Sequence, residues 1–229
     1  MLDAGLPFRK LMELSKFKAT DVQAALITHE HQDHAKAVED LMLHGVDCWM
    51  SLGTAMALGI PSDTPRLQFC HPGELHSLGD RWEMGCFHTT HDSEEPLGFI
   101  VQRQGYPYRL MYLTDSATGP SWPTGITHLM IEVNHTRDLI ASSTAVHAGR
   151  AKRSHMGLEY ALRYIDDLRF NSPNLFEVHF IHLSDCHADQ EEIETAAAMA
   201  LPGVRIKIGD RARTEPVSYP QAFGLVDEL

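Results

Sequence analysis

The sequence predicts an α/β protein, a layered sandwich of sheets covered by helices, in one domain spanning residues 1–229. Three observations carry this expectation. The last third alternates strand, helix, strand, the order of βαβ units. The middle is a series of short β-like runs separated by Gly-containing turns. With 229 residues, 43% of them hydrophobic, the chain has material for one well-buried core.

Taken in order, Pro7 followed by Phe8, Leu11, Met12 and Leu14 predicts a helix with proline in its first turn and one apolar face. Val22–Thr28 is a compact apolar run and reads as a buried strand. Ala35–His44 places Val38, Leu41 and Met42 at helical spacing and stops at Gly45. Strands are then expected at Val46–Ser51, Arg66–Cys70, Arg81–His88, Leu97–Arg103 and Tyr108–Thr114, with turns at Gly79-Asp80 and Gln104-Gly105. The alternating last third comprises strand His128–Val133, helix Met156–Leu168, strand Leu175–Leu183, helix Asp189–Leu201 and strand Val204–Ile208. Asp189 and Glu192 have the spacing of a capping box.

Composition narrows the function. No stretch approaches the roughly 20 apolar residues of a membrane helix, and the first residues lack a signal-peptide pattern, so a cytoplasmic protein without membrane contact is expected. A net charge of −12 argues against a surface that grips nucleic acid everywhere, because such binding depends on neutralising phosphates. Basic residues cluster locally, at Arg150, Lys152 and Arg153 and again at Arg205, Lys207, Arg211 and Arg213; solvated surface is the simpler reading of the second run. The four cysteines, Cys48, Cys70, Cys86 and Cys186, form no CxxC pair and are expected to be reduced. Fifteen histidines make imidazole the expected metal donor.

The segment AALITHEHQDHAKAV places three histidines and an aspartate within six residues, between a buried strand and a helix. Residues two apart on extended chain face the same side, so His29 and His31 can meet one ion. Asp33 and His34 fall where the chain turns into the helix and can face a second. Hydrolytic metals need further ligands and an open position for water. His91 in FHTTHD, Asp115 in MYLTDS and His182 in FIHLSD offer themselves at strand ends. His29, His31 and His91 would then hold one ion and Asp33, His34 and His182 the other, with Asp115 as the bridge.

In their order and separation, HEHQDH, HD, TDS and HLS resemble the metallo-β-lactamase superfamily, whose fold is an αββα sandwich. LDAG at the start looks like its first motif, and the resemblance implies that Asp3 supports the site from behind the ligands. HDSEEPLGF, TDS, IEVNH, RSHMGLEYAL and HLSDCHAD are most similar to its phosphodiesterase branch, in particular YycJ-type exonucleases and related prophage proteins. A bridging aspartate is typical of that branch, where many β-lactamases carry cysteine, so the resemblance implies a phosphodiester substrate. The family's HD pattern favours His91 over His88 as ligand. Two or three strands normally precede LDAG, so a chain beginning at Met1 is expected to lack the first strands of the sandwich.

Two divalent ions can lower the pKa of a shared water to about 7, giving a bridging hydroxide as the expected nucleophile. His155, in a segment resembling the family's SHMS, is the expected proton donor to the leaving oxygen, at the start of a helix. Glu132 is expected to orient it or another imidazole. No inherited role is expected for His187, and His135 is a weaker candidate. Zinc is the first expectation, with manganese, iron or nickel as alternatives. The leading function is a phosphodiesterase or nuclease. The rivals are hydrolysis of a small ester, thioester or lactam at the same site, and a metal-stabilised binding protein without turnover. An oligomer is compatible with all three.

Overall fold

The computed structural model describes residues 1–121, 123–143 and 146–209, and for 146 and 147 the backbone alone. Arg211 and Arg213 of the second basic run therefore lie outside the described residues. The first helix, α1 (Phe8–Leu14), follows Pro7, and β1 (Ala24–Leu26) leads into the histidine-rich loop. Two short helices follow instead of one, α2 (Gln32–Ala35) and α3 (Val38–Leu43). The break has a cause: the Ala37 amide donates to the Ala4 carbonyl (2.9 Å). Gly45 ends the segment with φ at +90°, where a glycine is needed.

The next elements are β2 (Asp47–Met50), α4 (Leu52–Ala57), β3 (Leu67–Phe69), β4 (Leu75–Leu78), β5 (Trp82–His88), β6 (Leu97–Arg103) and β7 (Arg109–Leu113). Then come β8 (His128–Glu132), α5 (Arg137–Ser142), α6 (Val146–Ser154), α7 (Leu158–Asn171), β9 (Glu177–Ile181), α8 (Gln190–Ala200) and β10 (Arg205–Ile208). The predicted cap of α8 is present, with the Asp189 carboxylate accepting from the Glu192 amide (3.1 Å). Four elements were not anticipated: α4, β4, α5 and α6. For α4 a signal existed, since Ser51 caps it by accepting from the Thr54 amide (3.0 Å) and Gly59 follows its end. For α6 the consequence is a correction. His155 does not open a helix; its amide donates to the Ala151 carbonyl (2.9 Å) beyond the end of α6, and α7 starts after Gly157.

Two sheets result. The smaller is β1-β2-β3, all parallel, and Leu2 bridges to Leu26 on its free side. The larger has seven strands in the order β10-β9-β8-β7-β6-β5-β4, antiparallel from β4 to β7 and parallel from β7 to β10. Alternation along β1 and its continuation shows how the layers arise. Ala25 and Ile27 face Val38, Leu41 and Met42 of α3, whereas Ala24 and Leu26 face Met84, Cys86, Leu97, Phe99 and Tyr112 of the larger sheet. The far side of the larger sheet buries Leu129, Ile131, Val178 and Phe180 under Leu158, Ala161, Ile165 and Leu168 of α7 and Ile193 and Ala197 of α8. The order helix, sheet, sheet, helix is the predicted αββα sandwich. All four cysteines are free thiols. Among the described residues no helix is long and apolar enough to cross a membrane.

Candidate metal centre

The chemistry-bearing side chains collect at one end of the sandwich, just past the C-terminal ends of strands from both sheets. The loop after β1 brings His29, His31, Asp33 and His34, and His91 follows β5. Asp115 follows β7, Glu132 is the last residue of β8, and His182 follows β9. Asp3, Asp115 and His182 have left-handed φ values of 53°, 45° and 56°. Such backbone is costly for residues with a Cβ and concentrates at functional sites.

Around His31 Nδ1, His29 Nε2 lies at 2.9 Å and His91 Nε2 at 3.2 Å. Asp33 Oδ2 lies 3.6 Å from His34 Nε2 and 3.7 Å from His182 Nε2. Donor atoms of each trio fall within 4.8 Å of one another, so each trio could hold one ion. Asp115 stands between them: Oδ2 is 2.5 Å from His34 Nε2 and 3.6 Å from His29 Nε2, and Oδ1 is 2.8 Å from His182 Nδ1. The structure thus brings together the residues expected to form two donor groups, with the Asp115 carboxylate among them.

Hydrogen bonding tests whether these residues suit a metal. His34 Nε2 and Asp115 Oδ1 are buried yet make no hydrogen bond of acceptable geometry, although polar atoms crowd them. Converging lone pairs with no proton aligned between them are what a cation's donors present, and mixed imidazole and carboxylate donors suit a borderline divalent ion. The residues fit the ions that the resemblance implies.

A layer behind the donors fixes which nitrogen each ring presents. The Thr28 hydroxyl donates to Asp3 (3.0 Å), so its oxygen is left to accept from His29 Nδ1 (3.0 Å). Nδ1 of His34 donates to Asp3 Oδ2 (2.8 Å), and Nδ1 of His91 donates to the Ser154 carbonyl (3.0 Å). Each bond holds the proton on Nδ1 and leaves the Nε2 lone pair for a metal. Asp3 also accepts from the Tyr112 hydroxyl (2.9 Å) and the Thr28 amide (2.8 Å). Thr28 and Tyr112 were not anticipated from the sequence. Thr28 adjoins His29, but nothing local marks Tyr112, which lies 109 residues from its partner.

Glu132 is fully buried and anchors the other side. Its Oε2 accepts from the Ser116 amide (2.9 Å) and the Met156 amide (3.2 Å), while Oε1 faces His155 Nδ1 at 2.5 Å and His182 Nδ1 at 3.0 Å. The carboxylate therefore orients both imidazoles, and the His155 and His182 rings stack 5.4 Å apart. His135 and His187 stand outside the two trios: His187 Nε2 lies 3.2 Å from the Ser143 hydroxyl, and the His135 backbone receives α7. His88 is exposed at the end of β5.

Ionisation divides the centre. Burial opposes charge on His34 and His182, but the carboxylates beside them prevail and push both up to about 12; Asp115 acts on both, with Asp3 on His34 and Asp33 on His182. His155 is raised to about 9, because the neighbouring carboxylates of Asp115 and Glu132 outweigh its burial. Burial and the neighbouring His34 lower His29 to about 2, and burial also lowers His91. Asp115 pays for burial yet is held ionised by His155, His182 and His34, and Asp33 is lowered chiefly by His182 and then His34. Without ions, protons on the Asp115 side neutralise the carboxylates.

A model described as "Beta-lactamase superfamily domain" matches residues 1–182, reaching from the Asp3 segment to His182. The chain is 28% identical over 159 residues to exodeoxyribonuclease WalJ of Streptococcus pneumoniae, 63% of this chain. It spans 57% of the length of the curated relatives it matches. Among solved structures, the metallo-β-lactamase fold protein YhfI from Bacillus subtilis superimposes with a TM-score of 0.68 at 13% identity, covering 91% of this chain and 83% of that one. Zn(2+)-bound PqqB from Methylobacterium extorquens does so with a TM-score of 0.67 at 13% identity, covering 91% and 80%. The superfamily match over most of its length and the shared sandwich place this chain in the beta-lactamase superfamily, with the metallo-β-lactamase fold.

Proposed function

We propose that this chain is a dinuclear metal-dependent phosphodiesterase acting on nucleic acid. The observation that carries the reading is Asp115, a buried carboxylate set between two donor trios, one of them all imidazole. The likeness to an exodeoxyribonuclease, partial as it is, supports the same substrate class. His29, His31 and His91 would hold one ion, Asp33, His34 and His182 the other, and Asp115 would contact both. Two divalent ions, zinc in the first place, would supply Lewis-acid polarisation of a phosphoryl oxygen and a water acidic enough to ionise near neutral pH.

The protein's own residues complete the task. Glu132 accepts a hydrogen bond from His155 Nδ1, which leaves Nε2 as the ring's free edge. In this reading His155 delivers a proton to the leaving oxygen, and Glu132 is a positioning residue for it and for His182. Metal-loaded protein assayed against bis-p-nitrophenyl phosphate, linear DNA, RNA, cyclic nucleotides and nitrocefin tests the proposal. Phosphodiester turnover that Asp33→Ala abolishes is the expected result. Turnover of nitrocefin alone would replace the reading with lactam hydrolysis, and turnover of none with a binding protein.

A further inference from the structure

Beside His91 lies a cleft of about 200 Å³ lined by Thr90, His91, Asp92, Arg150, Arg153 and Ser154. Its walls come from the loop after β5 and from α6. His91, whose side chain is buried, is the one candidate ligand in its lining, so the cleft lies beside the all-imidazole trio. Two arginines, Arg150 and Arg153, line it in a chain whose net charge is −12. Arg150 is held by a two-point bond to Asp92, Nε to Oδ2 at 2.5 Å and Nη2 to Oδ1 at 3.2 Å. That bond fixes the wall and cancels the Asp92 charge. Arg153 is exposed, and among the described residues no carboxylate lies within ion-pair distance of it. Arg153 is thus an uncompensated cation in the wall of the cleft.

We propose that this cleft seats the phosphate next to the one being cleaved, with Arg153 as its recognition residue. The inference rests on the phosphodiesterase reading and narrows it to strands carrying at least two phosphates. Guanidinium suits the role, since its planar fork matches two phosphate oxygens and its charge persists at any working pH. Thr90 adds a hydroxyl at the rim, where its Oγ1 lies 2.8 Å from that of Thr118. A local positive seat also reconciles a strand substrate with an acidic protein, because attraction is confined to the place where the strand must sit.

The test compares metal-loaded wild type, Arg153→Gln and Arg153→Lys on two probes, the dinucleotide dTpdT and its 5′-phosphorylated form pdTpdT. Affinity is measured by calorimetry and kcat/KM by product release. Wild type should favour pdTpdT by roughly tenfold, the size of a charge-assisted hydrogen bond exchanged against water. R153Q should lose that preference through KM, and R153K should keep most of it. No preference in wild type, or an equal loss on both probes in R153Q, overturns the seat. Calorimetry separates the two proposals: turnover without a binding preference overturns the seat alone, whereas a preference lost in R153Q without turnover supports phosphate recognition by Arg153 and overturns cleavage of these strands.

Discussion

At the scale of single residues, each donor is defined as much by what stands behind it as by its position. His29 presents Nε2 because Thr28 holds Nδ1, and Thr28 can do so because Asp3 takes its hydroxyl proton. His155 differs, since its Nδ1 faces the buried Glu132 and it clusters with Asp115, Glu132 and His182 outside the two donor trios. Changing His155 to Ala should therefore lower turnover at least tenfold, toward the roughly hundredfold effect of a lost general acid. Elemental analysis of the same variant should still find both ions. Loss of metal along with activity would instead make His155 a ligand.

At the scale of elements, the segment Met1–Gly5 works as a strap. Leu2 pairs with Leu26, the Ala4 amide donates to the His34 carbonyl (2.6 Å), and a Cβ on Gly5 would overlap the Asp33 carbonyl. Gly5→Ala must push the strap away from the ligand loop. The expected cost is about 1–3 kcal/mol in urea unfolding, the usual range for overpacking, with weakened binding of the ion near Asp33. Unfolding at the wild-type midpoint would show that the strap yields freely. The same elements show what the sequence could disclose. HEHQDH was legible because its candidate ligands are neighbours at the end of the β1 run, and β5, β7 and β9 were legible because their apolar runs end at the other candidates. The strap's contact with the ligand loop was not, since close packing at Gly5 leaves no local pattern. Polar α6 and the pairing of Arg150 with Asp92 were equally hidden, 58 residues apart.

At the scale of the molecule, the centre joins two layers that otherwise meet mainly through apolar contact. Four donors come from the small sheet and three, with Glu132, from the large one. Divalent ions should then act as a clasp between the sheets. Chelation should lower the melting temperature by about 10 °C, because a ligand at a thousandfold excess over Kd contributes about 4 kcal/mol and a domain this size shifts about 2–4 °C per kcal/mol. Reloading should release about two protons per chain at pH 8, since His34 and His182, raised to about 12, are protonated without metal and must ionise to bind it. The sign follows: metal affinity should climb with pH across the interval between 7 and 11. Titrations in buffers of different ionisation enthalpy measure the protons, and zero release would mean that the imidazoles are already neutral.

The left-handed backbone at Asp3, Asp115 and His182 sets the needs of folding against those of chemistry at the same three positions. Glycine or asparagine would relieve the local conformation at each while removing the imidazole or carboxylate that justifies it. If the proposed reaction is real, a descendant of this chain released from it would be free to lose these side chains while the sandwich around them remained sound. In a lineage of such proteins, the residues found at these three positions would date the loss of function before any other part of the fold recorded it.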